Sequence, residues 1–82
     1  MKASEKILVH VGVDSVLQRK LEDGGEKAVS ACAKAMGLSA VNAERLRTFG
    51  IITGQVHTDA VDALRKRDGV SFVETDKVQK AI

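Results

Sequence analysis

The run Ile7-Leu8-Val9-His10-Val11-Gly12-Val13 places the tightest limit on what this chain can fold into. In an extended chain Ile7, Val9, Val11 and Val13 lie on one face, and Leu8, His10 and Gly12 on the other. Apolar residues on both faces suit a strand at the centre of a sheet. The next two residues change the regime. Asp14-Ser15 is a helix N-cap signal, able to satisfy the first free amides, and Val16, Leu17 and Leu21 follow at helical spacing. Gly24-Gly25 breaks or bends this helix, since two glycines cost roughly 2 kcal/mol of helix propensity. The stripe resumes with Ala28, Val29, Cys32, Ala35 and Met36, and Gly37 suits the end. The spacing predicts one broken helical region from Val16 to Met36, jointed at the glycine pair.

Leu38 to Arg47 fits either a helix extension or a strand. Thr48-Phe49-Gly50 reads as a tight connection, which favours a second strand with Val41, Ala43, Arg45 and Arg47 opposite Asn42, Glu44 and Leu46. Ile51 to His57 is the third strand, with Ile52, Gly54 and Val56 expected toward the helices and Thr53, Gln55 and His57 outward. Thr58 or Asp59 caps a second helix through Val61, Ala63 and Leu64 to Lys66 or Arg67. Asp68-Gly69 then turns the chain into a fourth strand, Val70 to Val73. The order is β-α-β-β-α-β. Right-handed crossovers put both helices on one face of a four-stranded antiparallel sheet, an α+β ferredoxin-like plait. With no proline-rich linker or repeat to divide it, the chain reads as one domain over residues 1–82.

An 82-residue chain with 44% hydrophobic residues can bury one modest core. Thirteen basic residues against eleven acidic ones leave a net charge of +2, too balanced to imply nucleic acid, and the lack of Trp and Tyr removes the usual base-stacking platforms. One cysteine makes no internal disulfide. The apolar run after the charged start is too short for a leader or a membrane span, so the expectation is a soluble, cytoplasmic protein with no membrane partner.

Catalytic or metal-binding constellations are not visible. His10 and His57 fall on the outward face of neighbouring strands and read as solvated surface histidines, with no third ligand in reach. Cys32 sits on the apolar stripe and reads as a small core residue. Gly24-Gly25 lacks the surroundings of a phosphate loop. Arg65-Lys66-Arg67 complements the negative end of a helix dipole. The reading is of a binding protein, not an enzyme, with no metal and no cofactor.

The C-terminal stretch carries the functional signal. In Gly69-Val70-Ser71-Phe72-Val73-Glu74-Thr75-Asp76 the two carboxylates are two residues apart, so both leave an extended chain on the same side. This stretch resembles the end of subtilisin propeptides, matching at Val70, Phe72, Val73, Glu74 and Asp76. Phe49 to Gly54 and Asp59 to Arg65 are similar to that family's third strand and second helix. The resemblance covers residues 46–82 and, loosely, the first strand; residues 14–45 lie outside it.

The resemblance implies the same plait and a subtilisin-like serine protease as partner, inhibited by the domain or helped to fold by it. In that family the open sheet face packs on two protease helices, and the acids matching Glu74 and Asp76 cap their N-termini. The tail matching Lys77, Val78, Gln79, Lys80, Ala81 and Ile82 lies in the substrate cleft as a bound product, with Ile82 at the cleavage position. The protein would be a monomer or weak dimer. The alternative is a small self-associating plait of the ACT type, regulatory and with a small-molecule ligand at its interface.

Overall fold

A computed structural model describes residues 6–76. β1 (Lys6–Val13) leads into α1 (Ser15–Ala35), then β2 (Ser39–Asn42), the single turn α2 (Leu46–Phe49) and β3 (Ile51–His57). A 3₁₀ turn (Thr58–Ala60) precedes α3 (Val61–Arg65), and β4 (Val70–Asp76) closes the described chain. The strands form one antiparallel sheet in the order β2-β3-β1-β4. Because every neighbouring pair is antiparallel, β1 runs parallel to β2 with β3 between them, and β3 parallel to β4 with β1 between them. The two β-α-β units are thus interleaved, and β1 and β3 become the central strands.

Sequence alternation decides which sheet face is covered. Val9, Val11 and Val13 of β1, Ile52 and Val56 of β3 and Val73 of β4 are buried, together with Leu21, Ala33 and Met36 from the α1 region and with Leu46, Val61 and Leu64. These residues form one core cluster on the helical side. Ile52, Gly54 and Val56 point inward as their parity requires, while Gln55 and His57 are exposed.

The expected cap and joint of α1 are both present. The Asp14 carboxylate accepts from the Leu17 amide at 2.8 Å, a bond that contributes about 1 kcal/mol. Gly25 (φ 75°, ψ −162°) leaves helical geometry and divides α1 in two; its positive φ is one that L side chains rarely adopt. The break also shifts the buried stripe. Ala33 is buried where Ala35 was expected, and Ala35 is exposed.

The stretch from Leu38 to Arg47 departs most from the sequence reading. The second strand exists but covers only Ser39–Asn42. Ala40 takes φ 50°, and the pairing slips between Ser39↔Gln55 and Asn42↔Thr53, so three steps on β2 oppose two on β3. The Asn42 side chain then accepts from the Glu44 amide at 2.8 Å, a local turn that stops the strand. Arg45, Leu46 and Arg47 are therefore not strand residues. Leu46 turns into the core and starts α2, which ends on left-handed Gly50, whose amide bonds back to the Leu46 carbonyl at 2.8 Å. The Gln18 side chain fastens this turn to α1 by donating to the carbonyls of Leu46 (2.9 Å) and Arg47 (3.2 Å). The second crossover helix is also shorter than expected, its α-helical part being Val61–Arg65.

Candidate docking face of the sheet

The side of the sheet away from the helices is assembled by register alone. Lys6, Leu8, His10 and Gly12 of β1 stand between Ile51, Thr53, Gln55 and His57 of β3 and Phe72, Glu74 and Asp76 of β4. The face is graded along the strands. At one end Gly12 lies between Ile51 and Phe72, and the Phe72 ring lies directly over Gly12, where a Cβ atom would collide with it. Glycine makes that close approach possible, and the aromatic covers the backbone that glycine leaves bare. Phe72 remains 42% exposed. At the other end Lys6 pairs with His57 across the strands, and its ammonium group donates to the Ser39 hydroxyl at 3.3 Å.

Between the two ends is a hydrogen-bonded row. His10 is opposite Thr53 on one side and Glu74 on the other. Its Nδ1 lies 3.0 Å from the Thr53 hydroxyl and its Nε2 3.3 Å from Asp76 Oδ2, on the diagonal neighbour. With the proton on Nε2, neutral His10 donates to Asp76 and accepts from Thr53. The imidazolium form donates to both and makes an ion pair with Asp76. His10 is thus a half-buried, bonded member of the face, not the solvated histidine expected. His57 is exposed. The link between His10 and Asp76 spans 66 residues and follows from the β1–β4 register, which no local pattern displays.

Glu74 and Asp76 lie on this face, both exposed, on edge strand β4. They keep the shared side that their spacing implied. Asp76 reaches His10 with Oδ2, and Oδ1 takes no part in that contact. Lys77, Val78, Gln79, Lys80, Ala81 and Ile82 lie outside the described residues. Arg65 guards the edge itself: its Nε and Nη2 donate to the Val73 carbonyl of β4 at 3.4 and 3.3 Å.

Two features lie away from this face. Cys32 is half-buried, and burial pushes its thiol pKa up, with Arg67 nearby opposing the shift. An open cleft of about 720 Å³ separates α1 from the β2–α2 segment, reaching down to Leu21, Leu38 and Leu46 with Glu26, Lys34 and Arg47 among its lining. Among the described residues no group of three or more His, Cys, Asp or Glu side chains could hold a metal ion. No helix among them is long and apolar enough to cross a membrane.

No protein-family model, curated protein or solved structure matches the chain.

Proposed function

We propose that this chain is a binding module of the subtilisin-propeptide type, acting as inhibitor or folding helper of a subtilisin-like serine protease. The interleaved β-α-β units fit the ferredoxin-like plait that such a module uses. The observation that carries the reading is the position of Glu74 and Asp76. Both stand exposed on the face without helices, on a strand at the sheet's edge. Two carboxylates presented in this way suit the N-termini of two helices on a partner, where unpaired amides and the helix dipole favour negative charge. The apolar end around Phe72 and Ile51 adds contact area, and the Arg65 bond to Val73 favours docking by the face over strand addition at the β4 edge. Residues 77–82 then take the role of a product-like strand in the protease cleft.

Titration of a subtilisin with the purified protein, following residual activity, tests the proposal. Deleting residues 77–82 removes a strand of backbone hydrogen bonds, each contributing about 1 kcal/mol net, so the expected loss is several kcal/mol or at least about 100-fold in affinity. If the truncated and full-length proteins behave alike toward every subtilisin tried, the resemblance is one of sequence words only. The cleft between α1 and β2–α2 favours a second reading, a self-associating ACT-type regulatory module with a small-molecule ligand. A stable dimer with no effect on proteases would select it.

A further inference from the structure

The two edges of the sheet are not protected alike. At the β4 edge Arg65 donates to the Val73 carbonyl. In β2, the other edge strand, the side-chain bonds fall at the two ends: Ser39 donates to the Gln55 carbonyl (3.4 Å) and Asn42 accepts from the Glu44 amide (2.8 Å). Between them the slip in register leaves Ala40 and Val41 with no opposing residue on β3, and both are exposed. A bulge can serve to blunt an edge against stray pairing. Here the bulged residues also form part of one wall of the cleft of about 720 Å³ whose other wall is α1.

The cleft floor is aliphatic: Leu21, Ala33, Leu38 and Leu46 are buried, Val29 is half-buried, and no aromatic side chain is among the lining residues. The rim is charged. Gln18 Nε2 is shared by the Glu22 carboxylate and the Arg47 carbonyl, which puts Glu22 and α2 at one end of the cleft. Lys34, beside the turn into β2, is at the other. Glu26 and Glu44 also line the rim, and neither forms an ion pair among the described residues. We propose that this cleft binds an extended segment of a partner polypeptide, which adds to β2 at Ala40 and Val41 and alternates aliphatic side chains on the floor with basic ones at the glutamate rim. The period of two in a strand sends alternate side chains to floor and rim. Backbone bonds to an open edge supply affinity, and the sites for alternate side chains supply selectivity. Three acids against two bases make basic segments the favoured sign. The cleft lies away from the face that carries Glu74 and Asp76, so this site is separate and does not depend on the protease reading.

The experiment titrates the full-length protein into a labelled, end-capped hexapeptide of alternating lysine and valine and reads Kd by fluorescence anisotropy at low salt. A matching peptide of alternating glutamate and valine should bind at least about tenfold more weakly. Methylating alternate peptide nitrogens keeps the side chains and removes the backbone donors, and should also weaken binding by about tenfold. Glu26 and Glu44 are both exposed, so the double variant Glu26→Gln with Glu44→Gln should fold as the parent does and bind the basic peptide about threefold to tenfold less tightly. On adding the basic peptide, amide NMR shifts should gather at Val29, Ala33, Ala40 and Val41. Absence of saturable binding below about 1 mM would overturn the proposal. Equal binding of the basic and acidic peptides would do the same, as would an N-methylated peptide that binds as tightly as its parent. Shifts gathered at Glu74 and Asp76 would put the peptide on the other face and leave the cleft without this role. A dimer that protects the Ala40 and Val41 amides would put a second copy in the groove, and the partner-peptide reading would fall.

Discussion

The two faces of this sheet are made from the same strands, yet they obey different rules. On the helical side Val9, Val11, Ile52 and Val56 are almost wholly buried, and each was chosen by shape and hydrophobicity. One residue along each strand, the opposite face carries His10, Thr53, Gln55 and Glu74, where no core dictates the side chain. The bonds on that second face are few and run between strands: histidine to threonine, histidine to aspartate, lysine to serine. The helical face is therefore explained by folding. The other face, which folding leaves free, is where a partner's requirements can be written.

Substitutions at adjacent positions sharpen this contrast most strongly in β3. Ile52 is 0% exposed, so Ile52→Ala loses transfer free energy and leaves a cavity, about 2–5 kcal/mol in all. Thr53→Ala removes one hydrogen bond to His10 on the other face and should cost about 0.5–1.5 kcal/mol. Urea unfolding of the two variants measures the gap directly. Equal costs would mean that the second face is as much a part of the core as the first.

Gly12 is the position where the open face imposes a steric demand of its own. Ala has the better strand propensity, and a bare backbone position would gain roughly 0.5–1 kcal/mol from Gly→Ala. Here the new methyl group meets the Phe72 ring, which is 42% exposed and must swing aside, giving up its cover of the strand backbone. That loss offsets the propensity gain, so Gly12→Ala should change stability by less than about 1 kcal/mol. Adding Phe72→Ala should relieve much of that loss, which a double-mutant cycle reads as coupling. A Gly12→Ala effect that is the same with and without Phe72 would show that the ring does not lie over Gly12.

What the sequence made legible follows the same division. The alternation in Ile7–Val13 and Ile51–His57, the Asp14 cap and the glycine joint are local signals, and each is found in place. The short β2 was obscured because three local features compete there. A positive φ at Ala40 and an Asn42 turn end the strand, while burial of Leu46 makes a helical turn from residues whose alternation suited a strand. On the candidate site, the common side of Glu74 and Asp76 followed from a two-residue spacing. The engagement of Asp76 by His10 needed the register of two strands 66 residues apart, which neither strand states alone.

Cys32 tests the covered side with a smaller effect. Burial raises its pKa, so the folded protein holds the thiol proton more tightly than the unfolded chain does. Stability from this source is complete below the ordinary thiol pKa and is lost as pH rises through the raised native value. Urea midpoints at neutral and alkaline pH should show a fall that is smaller in Cys32→Ser. At fixed pH a thiol reagent should label native protein more slowly than protein in urea. Labelling at the same rate in both would place Cys32 outside the apolar stripe.

The smallest effect on stability is expected at Glu74 and Asp76, the two acids proposed to dock. Both side chains are exposed; the Asp76 side chain retains 48% of its accessible surface and its His10 partner 24%. An ion pair at that exposure contributes about 0–1 kcal/mol, and solvent screening holds it toward the lower end. The charges on β4 also lie close together on one face, so removing both relieves some mutual repulsion. Glu74→Ala with Asp76→Ala should therefore leave the urea midpoint almost unchanged, within about 1 kcal/mol, at neutral pH. The same double variant should weaken binding to a subtilisin by about 2 kcal/mol, one helix cap for each acid. A protein that unfolds easily after this change would assign the two acids to holding β4 against β1. A protein that stays folded and binds as before would leave the open face without its acidic anchors, and the partner would have to be sought through the apolar end around Phe72 instead.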